Sequence, residues 1–448
     1  MRTIIIGGGI TGLSAAWELQ QHKADYTLLE GSNRWGGKII SHTMDVEGRS
    51  FLVEGGPDTL VTRKREAWHL TLEAGLHNEV INPGSETKNI YVLDEGKPYP
   101  VPMSPALFFS SPLLTWRGKL RLLAEPFQRA RRDNEDESLA EFVTRRLGHE
   151  ALEKFIGPVL GGIYNTDPHK QSILVSSPVM REMEKEAGSL VRAGIARMFR
   201  KKESGEQPPR FINFKKGMEQ LPETIASQLA GDLRLNARAT NITRTENKFV
   251  VHLSDGTVVE GENVILATLA NVSSKLIGGI APQAARELSA IEHKNIGTIS
   301  LVFKESDIPS APVINGLMIP RREKRNIDAM TFTSRKSPER SAPDYALLRV
   351  FLGGGNPDMV TCDDETLVNA VCRELKDLAG IKARPLAYTV FRWEQGFPQA
   401  EVGHLARVDQ IEALLPRGML VAGSSYRGIA VPDCIKQGRE AAGRIIKS

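Results

Sequence analysis

The sequence is poor in the residues that build disulfide frameworks and metal centres. Its three cysteines, Cys362, Cys372 and Cys434, are widely spaced in 448 residues and form no CxxC pair. This spacing indicates neither a disulfide framework nor a zinc site and favours a reducing compartment. The nine histidines form no HxxxH or HExxH pair, which argues against a metal hydrolase, so we assign no metal ligands.

Long apolar runs are also missing. No stretch of about 18 uninterrupted apolar residues occurs, so we expect no membrane-spanning helix. The first apolar strand begins at residue 3, which leaves no room before it for a signal peptide, and we expect a cytoplasmic protein. Basic residues exceed acidic ones by only 58 − 54 = 4, an excess that is consistent with anionic ligands or an acidic membrane surface and gives no reason to expect nucleic acid.

The strongest pattern is present in the first thirty residues. An apolar strand leads into a glycine-rich turn and a helix, and a second strand ends at Glu30. Glycines at this spacing give a tight turn, a close approach of the backbone to a pyrophosphate, and helix-on-strand packing. Glu30 is placed to accept hydrogen bonds from ribose hydroxyls. Because all these parts occur in register, we predict a dinucleotide site at Gly7, Gly9, Ile10, Thr11 and Gly12.

A second glycine cluster follows and favours FAD over NAD. Gly36 and Gly37 allow more backbone N–H groups to meet phosphate, while Arg34 and Lys38 can neutralise the charge of the longer cofactor. A nicotinamide site has no need of this cluster. Further along, a glycine-rich loop is expected to return to the cofactor at Gly55, Gly56, Pro57 and Asp58.

The later segments divide by pattern into three units. Residues 1–75, 210–270 and 396–448 have α/β character, and residues 264–268 form a buried strand that ends at Thr268. Strands starting near Leu233, Lys248 and Val258 are expected to form a β-meander. Residues 76–100 and 271–395 contain most of the other strands. The remaining residues assigned to the cofactor are Ala239, Thr268, Gly423 and Val431. Pro432 is expected in the first turn of a C-terminal helix, a position that proline favours.

Residues 101–209 are predicted to be mainly helical, over 113–132, 138–147, 150–160 and 180–199, with an exit linker at 204–209. An apolar and aromatic stretch at 105–116 is followed by several arginines and lysines. This combination suits an interfacial helix on anionic lipid, and equally a helical cover over the entrance of a cavity. The sequence leaves both alternatives open.

The chain resembles the oxygen-dependent porphyrinogen oxidases, which belong to a wider superfamily of amine-oxidase-like flavoproteins. The resemblance runs end to end, and its more specific marks are residues 53–59, the Arg63-Lys64 pair, residues 402–404 and residues 423–435. It implies an α/β fold, α+β overall, with a Rossmann-like FAD-binding domain, a discontinuous antiparallel-sheet substrate domain and a helical membrane-associating domain. Ala400 departs from the pattern, because a tyrosine is expected after Pro398-Gln399.

The resemblance also implies the chemistry. Non-covalent FAD would remove six electrons from a porphyrinogen in three steps, with O2 reoxidising the flavin to give H2O2, and no catalytic side chain is required. We favour coproporphyrinogen III over protoporphyrinogen IX, with Arg63 and Lys64 binding propionates. An amine oxidase or carotene desaturase, and a binding protein without redox activity, are the alternatives. Peripheral membrane contact and a downstream haem-synthesis enzyme are further expected partners.

Overall fold

The computed structural model describes residues 1–83, 90–102, 105–199, 208–310 and 314–447. Its strands fall into two large sheets and several small ones. In chain order they are β1 (Arg2–Ile6), β2 (Asp25–Leu29), β3 (Ser41–Val46), β4 (Arg49–Glu54), β5 (Leu60–Val61), β6 (Val80–Ile81), β7 (Ile90–Asp94), β8 (Lys97–Pro100), β9 (Phe211–Phe214), β10 (Asp232–Arg234), β11 (Ala239–Arg244), β12 (Phe249–Leu253), β13 (Val258–Gly261), β14 (Asn263–Leu266), β15 (His293–Lys304), β16 (Gly316–Met318), β17 (Ala329–Phe332), β18 (Tyr345–Leu352), β19 (Ala387–Pro398) and β20 (Met419–Val421).

The helices alternate with strands near both ends of the chain and are grouped together in its second quarter. In chain order they are α1 (Ile10–Gln21), α2 (Arg65–Glu73), α3 (Pro105–Ser110), α4 (Trp116–Leu123), α5 (Leu139–Leu147), α6 (His149–Ala151), α7 (Gly157–Tyr164), α8 (Ile173–Ser176), α9 (Pro178–Ala187), α10 (Leu190–Phe199), α11 (Gln220–Gln228), α12 (Ala270–Ile277), α13 (Pro282–Ser289), α14 (Thr333–Lys336), α15 (Asp358–Thr361), α16 (Asp364–Ala379), α17 (His404–Leu414) and α18 (Val431–Ile446).

A five-stranded parallel sheet, in the order β10-β2-β1-β14-β20, forms the nucleotide-binding part of the molecule. Ile5 pairs with Leu28 on one side and with Ile265 on the other, and all three are fully buried. Continuous apolar runs of this kind form strands that are covered on both faces. Helices α1, α11 and α18 cover one face, and α12, α13 and the β11–β13 meander cover the other. The carboxyl ends of β1, β2, β14 and β20 therefore meet at one edge.

The second large sheet has seven strands in the order β19-β15-β18-β17-β16-β7-β8. It is antiparallel except for the β16–β7 pair. Alternate residues of β15 face opposite sides: Leu301 packs in the core formed with α16, whereas Val302 packs with Phe51 of the β3–β4 hairpin. The sheet is thus buried against α16 on one face and approaches the nucleotide-binding part on the other.

This mixture of elements confirms the predicted α/β fold class, while the boundaries of the three predicted units stay a prediction.

One strand assignment was wrong. Leu233 lies in β10 and pairs in parallel with Leu28 of β2, so it extends the large sheet, and the meander consists of β11, β12 and β13. The apolar alternation around Leu233 is compatible with a strand of the parallel sheet and with a strand of the meander, so the sequence could not distinguish these two locations.

The predicted helices of residues 113–199 are shorter than expected. Gly188 has a left-handed φ of 67° and separates α9 from α10. The expected helix at 113–132 consists of α4 and a 3-10 turn, Glu125–Phe127, which contains Pro126. Residues 204–207 of the predicted linker lie outside the described residues.

Two ion pairs join the loop after β4 to the connection between β17 and β18. Glu54 is 3% exposed and accepts a hydrogen bond of 2.5 Å from Arg340, which is equally buried. Four residues later, Asp58 pairs with Lys336 at 2.8 Å. Burial raises the pKa of Glu54 although the Arg340 guanidinium opposes this shift. Removing one partner of such a buried pair leaves an uncompensated charge, which is strongly destabilising.

We therefore predict that Arg340→Met lowers the free energy of unfolding by about 3–5 kcal/mol, because the Glu54 carboxylate would stay buried without its partner. The double variant Glu54→Gln/Arg340→Met should recover at least half of this loss. Urea denaturation of the two variants and of the unaltered protein measures both effects.

The matched control is Lys248→Met, which breaks an exposed pair with Glu260 and should cost less than about 1 kcal/mol. Equal losses in Arg340→Met and Lys248→Met would contradict the assignment of the Glu54–Arg340 pair as a structural anchor.

Candidate active site

The turn after β1 is held together by close backbone contacts. Gly7 has a φ of +111°, and a Cβ atom there would lie 2.7 Å from the Ala267 carbonyl oxygen. A Cβ at Gly12 would lie 1.9 Å from the Gly7 carbonyl oxygen. Ile10 and Thr11 begin α1 and are buried. Gly7 and Gly12 are thus required by the tight turn and by helix–strand packing, and Gly9 needs another explanation.

Gly9 is not explained by protein contacts. Its φ of −72° suits any residue, and the nearest atom to a Cβ at this position would be the Gly37 Cα, 3.9 Å away. The neighbouring glycine cluster closes on the same turn, because the Gly36 N–H donates to the Gly8 carbonyl oxygen at 2.9 Å. Open space beside Gly9 lies where the first N–H groups of α1 have no acceptor within the helix. This arrangement fits the pyrophosphate of a dinucleotide.

Glu30 lies at the carboxyl end of β2, as predicted. Its two carboxylate oxygens accept hydrogen bonds from the N–H groups of Gly8, at 2.7 Å, and of Ser32, at 2.8 Å. Each oxygen retains a lone pair that a ribose hydroxyl can use. Ala239 begins β11, two residues after Ala237, whose N–H donates to the Glu30 carbonyl oxygen at 2.8 Å.

Arg34 and Lys38, the two cations of the second glycine cluster, were expected to neutralise cofactor charge, but both have partners within the protein. Arg34 pairs with Glu219 at 3.0 Å and donates to the carbonyl oxygen of Ile39 at 3.1 Å, so its charge holds its own loop instead of standing free for phosphate. Lys38 donates to the Gly396 carbonyl oxygen at 2.5 Å, and burial lowers its pKa to about 8. The electrostatic neighbour of Lys38 is Cys434 of α18. Lys38 is therefore directed toward the C-terminal helix.

The loop at residues 54–58 is shaped mainly by protein packing. A Cβ at Gly55 would lie 2.5 Å from the Phe391 ring, and one at Gly56 would lie 1.9 Å from the Lys38 carbonyl oxygen. Pro57 follows directly, and the pKa of Asp58 is held well below its usual range by Lys336 and a second cation, although burial opposes this shift. The Asp58 charge is thus satisfied within the protein, which differs from its expected contact with the cofactor.

The C-terminal loop supplies a further wall. Gly423 follows β20 with a φ of +131°, and a Cβ there would lie 3.6 Å from the Thr11 hydroxyl. The Gln437 side chain of α18 accepts hydrogen bonds from the Gly423 and Arg427 N–H groups and donates to the Gly428 carbonyl oxygen. No sequence motif indicated this role for Gln437. Its amide holds the loop across the N-terminal part of α18.

Thr268 and Val431 mark the two ends of this wall. The Thr268 hydroxyl is 2.7 Å from the Ser273 hydroxyl, which in turn lies 3.1 Å from the buried Tyr426 hydroxyl. Val431 is the first residue of α18, and Pro432 follows it in the first turn, as the sequence predicted. Thr268 and Gly423 each lie just beyond the carboxyl end of a parallel strand, where α/β sheets bind their ligands.

A histidine and a cysteine that the sequence analysis gave no role lie close to Lys38. His293 donates from Nδ1 to the Ile291 carbonyl oxygen and is hydrogen-bonded through Nε2 to the Ser425 hydroxyl at 3.1 Å. Burial lowers the pKa of His293, and the Lys38 ammonium adds to the effect. Burial also raises the pKa of the Cys434 thiol to about 11. At neutral pH this thiol carries no charge and is a poor nucleophile.

Arg63 and Lys64, the two residues expected to bind substrate, have different surroundings in the structure. Lys64 lies 2.5 Å from Asp433 in the first turn of α18, so its charge is used within the protein. Arg63 is exposed, and no ion pair with it occurs among the described residues. The assignment of both residues to substrate stays a prediction, and Lys64 is the weaker candidate because Asp433 already neutralises it.

Comparisons with known proteins agree with this geometry. The family described as flavin containing amine oxidoreductase matches residues 10–446. A coproporphyrinogen III oxidase from Staphylococcus aureus (strain NCTC 8325 / PS 47) is 30% identical, over 99% of this chain and 98% of that protein. Another, from Bacillus subtilis (strain 168), is 28% identical over 98% of this chain and 96% of that protein. A crystal structure of a candidate protoporphyrinogen oxidase from Exiguobacterium sp. 255-15 superposes with a TM-score of 0.85 at 28% identity and covers 100% of this chain and 98% of that one.

We predict that Gly9→Val yields a folded protein without bound dinucleotide. The Cβ of the valine would lie 3.9 Å from its nearest protein atom, the Gly37 Cα, and the side chain would fill the space that the pyrophosphate needs. The matched control is Gly443→Val, because a Cβ at Gly443 in α18 also meets nothing within 4 Å.

Visible absorbance relative to protein concentration measures cofactor content, and circular dichroism verifies the fold. Cofactor content equal to that of the unaltered protein in Gly9→Val, or an equal loss in Gly443→Val, would contradict the assignment of this space to the cofactor.

Proposed function

This chain belongs to the family of flavin-containing amine oxidoreductases, and we propose that it oxidises coproporphyrinogen III to coproporphyrin III with O2 in haem biosynthesis. It is an FAD-dependent oxidoreductase. The observation that carries the choice of substrate is the similarity to two coproporphyrinogen III oxidases, which extends over 98% and 99% of the chain. The open space beside Gly9 supports the same proposal, since it explains a glycine that the protein itself does not require.

In this proposal bound FAD supplies the two-electron acceptor, and three rounds of O2 reduction to H2O2 account for the six electrons removed. The chain's own residues bind and orient. The turn at Gly9 and the amino terminus of α1 hold the pyrophosphate, and Glu30 accepts hydrogen bonds from the ribose. The half-buried ammonium of Lys38 lies near His293, and its positive charge would favour negative charge nearby.

The positions of the two sheets support a substrate cavity between them. Trp393 of β19 donates from its indole Nε1 to the Gly55 carbonyl oxygen at 3.0 Å, and Phe391 packs against the same glycine. These contacts bring one face of the seven-stranded sheet next to the cofactor-binding edge of the parallel sheet. A mainly apolar macrocycle would be shielded from water in such a space, and positioning is the protein's main contribution.

Protoporphyrinogen IX is the alternative substrate. It is favoured by the similarity to the Exiguobacterium protein, at the same 28% identity as one of the coproporphyrinogen III oxidases. An amine oxidase or carotene desaturase is a more distant alternative. No contact among the described residues favours either of these activities.

The deciding experiment supplies each porphyrinogen, prepared anaerobically, to the purified yellow holoenzyme in air. We expect porphyrin fluorescence to rise faster with coproporphyrinogen III, with three molecules of H2O2 formed per porphyrin, because six electrons leave in pairs. Heat-denatured protein controls for spontaneous oxidation. Faster oxidation of protoporphyrinogen IX would identify it as the substrate in place of coproporphyrinogen III. No acceleration of the oxidation of either porphyrinogen would refute the proposal.

We also propose that residues 116–199 carry a surface that contacts a membrane. In the described residues no helix is long and apolar enough to cross a bilayer. Apolar side chains are nevertheless exposed on α4, the 3-10 turn and α10: the exposed fraction is 66% for Trp116, 84% for Phe127 and 83% for Met198. The Glu125 carboxylate joins these elements, because it accepts the N–H groups of Leu190 and Val191. Exposed Arg117 and other basic residues on these helices would favour anionic lipid.

The triple variant Trp116→Ser/Phe127→Ser/Met198→Ser should therefore lose most binding to vesicles that contain anionic lipid, while its oxidase activity in solution is retained. Co-sedimentation with phosphatidylglycerol vesicles measures the effect. Val258→Ser is the control, since Val258 is 49% exposed on the meander. Unaltered protein that stays in the supernatant, or equal losses in both variants, would contradict the proposed membrane contact.

A further inference from the structure

A cleft separates the helical segment from the end of the seven-stranded sheet. One wall is α7 with the loop through His169, and the other is the β16–β17 connection, which includes Arg321 and Asp328. Thr166 lines this cleft and also a smaller cavity that is bounded by His404 and Tyr426 next to the C-terminal loop. The cleft and the cavity beside the C-terminal loop thus have Thr166 as a common wall.

Arg321 is placed at this cleft by Asn165. The Arg321 Nη2 group donates to the Asn165 carbonyl oxygen at 3.1 Å and to its Oδ1 at 3.3 Å. Asn165 ends α7 in the left-handed conformation, with a φ of 45°, which asparagine tolerates well. It is only 8% exposed, and its buried Nδ2 has no acceptor among the described residues. Gly354 makes room for this side chain, because a Cβ there would lie 2.6 Å from the Asn165 Oδ1.

Arg321 forms no ion pair within the described part of the chain, although its charge opposes the rise that burial causes in the pKa of Asp328. Other charged groups of the cleft have direct partners. Arg322 pairs with Asp94 at 2.8 Å. The two carboxylate oxygens of Asp328 accept the N–H groups of Gly354 and Gly355, each at 2.6 Å. Asp167 accepts the His169 N–H at 3.0 Å. No carboxylate lies within ion-pair distance of Arg321 in the residues that the structure describes.

The surroundings of Arg321 carry charges of both signs. The lining of the cleft includes the carboxylates of Glu153, Asp167 and Asp328 as well as the guanidinium groups of Arg321 and Arg322. Lys294 of β15 is half-buried, and its pKa is lowered first by burial and then by Arg321, with Lys170 adding to the effect. Lys170 itself is only loosely paired with Glu401, at 3.6 Å. A carboxylate that entered the cleft mouth would meet a guanidinium whose Nε and Nη1 edge forms no hydrogen bond among the described residues, so this edge can form a bidentate pair.

We propose that Arg321, positioned by Asn165, binds a propionate carboxylate of the tetrapyrrole substrate at the mouth of this cleft. The inference rests on the proposed function and adds a propionate-binding residue to Arg63 and Lys64, which were predicted from the sequence. A porphyrinogen combines an apolar macrocycle with anionic side chains, and burying an unpaired carboxylate is costly. An exposed arginine at the mouth allows the ring to enter the cavity while a propionate stays paired and partly hydrated.

The test uses the holoenzyme and three variants: Arg321→Gln, Arg321→Lys and Arg322→Gln. Arg322→Gln is the matched control, since Asp94 already pairs with that charge in the same cleft. We expect Arg321→Gln to raise KM for coproporphyrinogen III by about 10- to 100-fold at a kcat within about twofold, because a charge-assisted contact made equally in the ground and transition states is lost. Arg321→Lys should have a KM between that of Arg321→Gln and that of the unaltered enzyme. The FAD content should be unchanged in all three variants.

Steady-state assays with both porphyrinogens give the decision. An increase in KM with both substrates, or with coproporphyrinogen III alone, supports the carboxylate site and identifies whether the bound propionate is shared by the two substrates. A KM within about twofold of the unaltered enzyme for both substrates, or an equal increase in Arg322→Gln, would overturn it.

Direct binding separates this inference from the proposed function. Coproporphyrin III and its uncharged tetramethyl ester are titrated against the holoenzyme by fluorescence quenching. Should the unaltered enzyme oxidise neither porphyrinogen, the proposed function fails. A preference of about tenfold or more for the free acid that disappears in Arg321→Gln would still support the anion site, and no preference would overturn it as well.

Discussion

The close approach of backbone segments at the carboxyl edge of the parallel sheet is the constraint on which the rest of the site depends. Gly12 contacts the Gly7 carbonyl oxygen, and Gly438 of α18 would place a Cβ 2.2 Å from the Thr11 carbonyl oxygen. Larger residues at either position would push α1 away from the strands or from α18. With these contacts in place, the amino terminus of α1 and the loop after β20 stand side by side, and the space beside Gly9 stays open between them.

A second constraint positions the substrate side of the molecule. The loop after β4 leaves the nucleotide-binding part and meets the seven-stranded sheet through Glu54–Arg340 and Asp58–Lys336. Buried ion pairs contribute little net stability, because desolvation offsets much of the attraction, but they disfavour any arrangement that leaves one charge alone. Their effect here is on geometry: they fix which face of the sheet lies against the cofactor edge.

Charge distribution then determines what can enter. The cations nearest the glycine turns are already engaged: Arg34 with Glu219, and Lys64 with Asp433. Lys38 stays unpaired by a carboxylate among the described residues, but it is half-buried near His293 and Cys434. Among the described residues, Arg321 forms no ion pair, and it lies in a part of the chain that carries no recognised motif. In the proposed arrangement, cofactor and substrate charges would be met in different places, the first by backbone N–H groups and the second at the cleft mouth.

The sequence by itself determined the local features. The apolar strand, glycine turn, helix and acid at residues 3–30 depend on short-range sterics and hydrogen bonding, so they could be predicted, and so could the first-turn proline of α18. Only the tertiary structure decided the partners of charged residues. Arg34 and Glu219 are 185 residues apart, and Lys64 and Asp433 are 369 apart. Spacing carries no information on such pairs, because an ion pair forms wherever the folded chain brings two charges together. For the same reason the packing that requires Gly55 and Gly56, and the placement of Arg321 by Asn165, appeared only in the folded molecule.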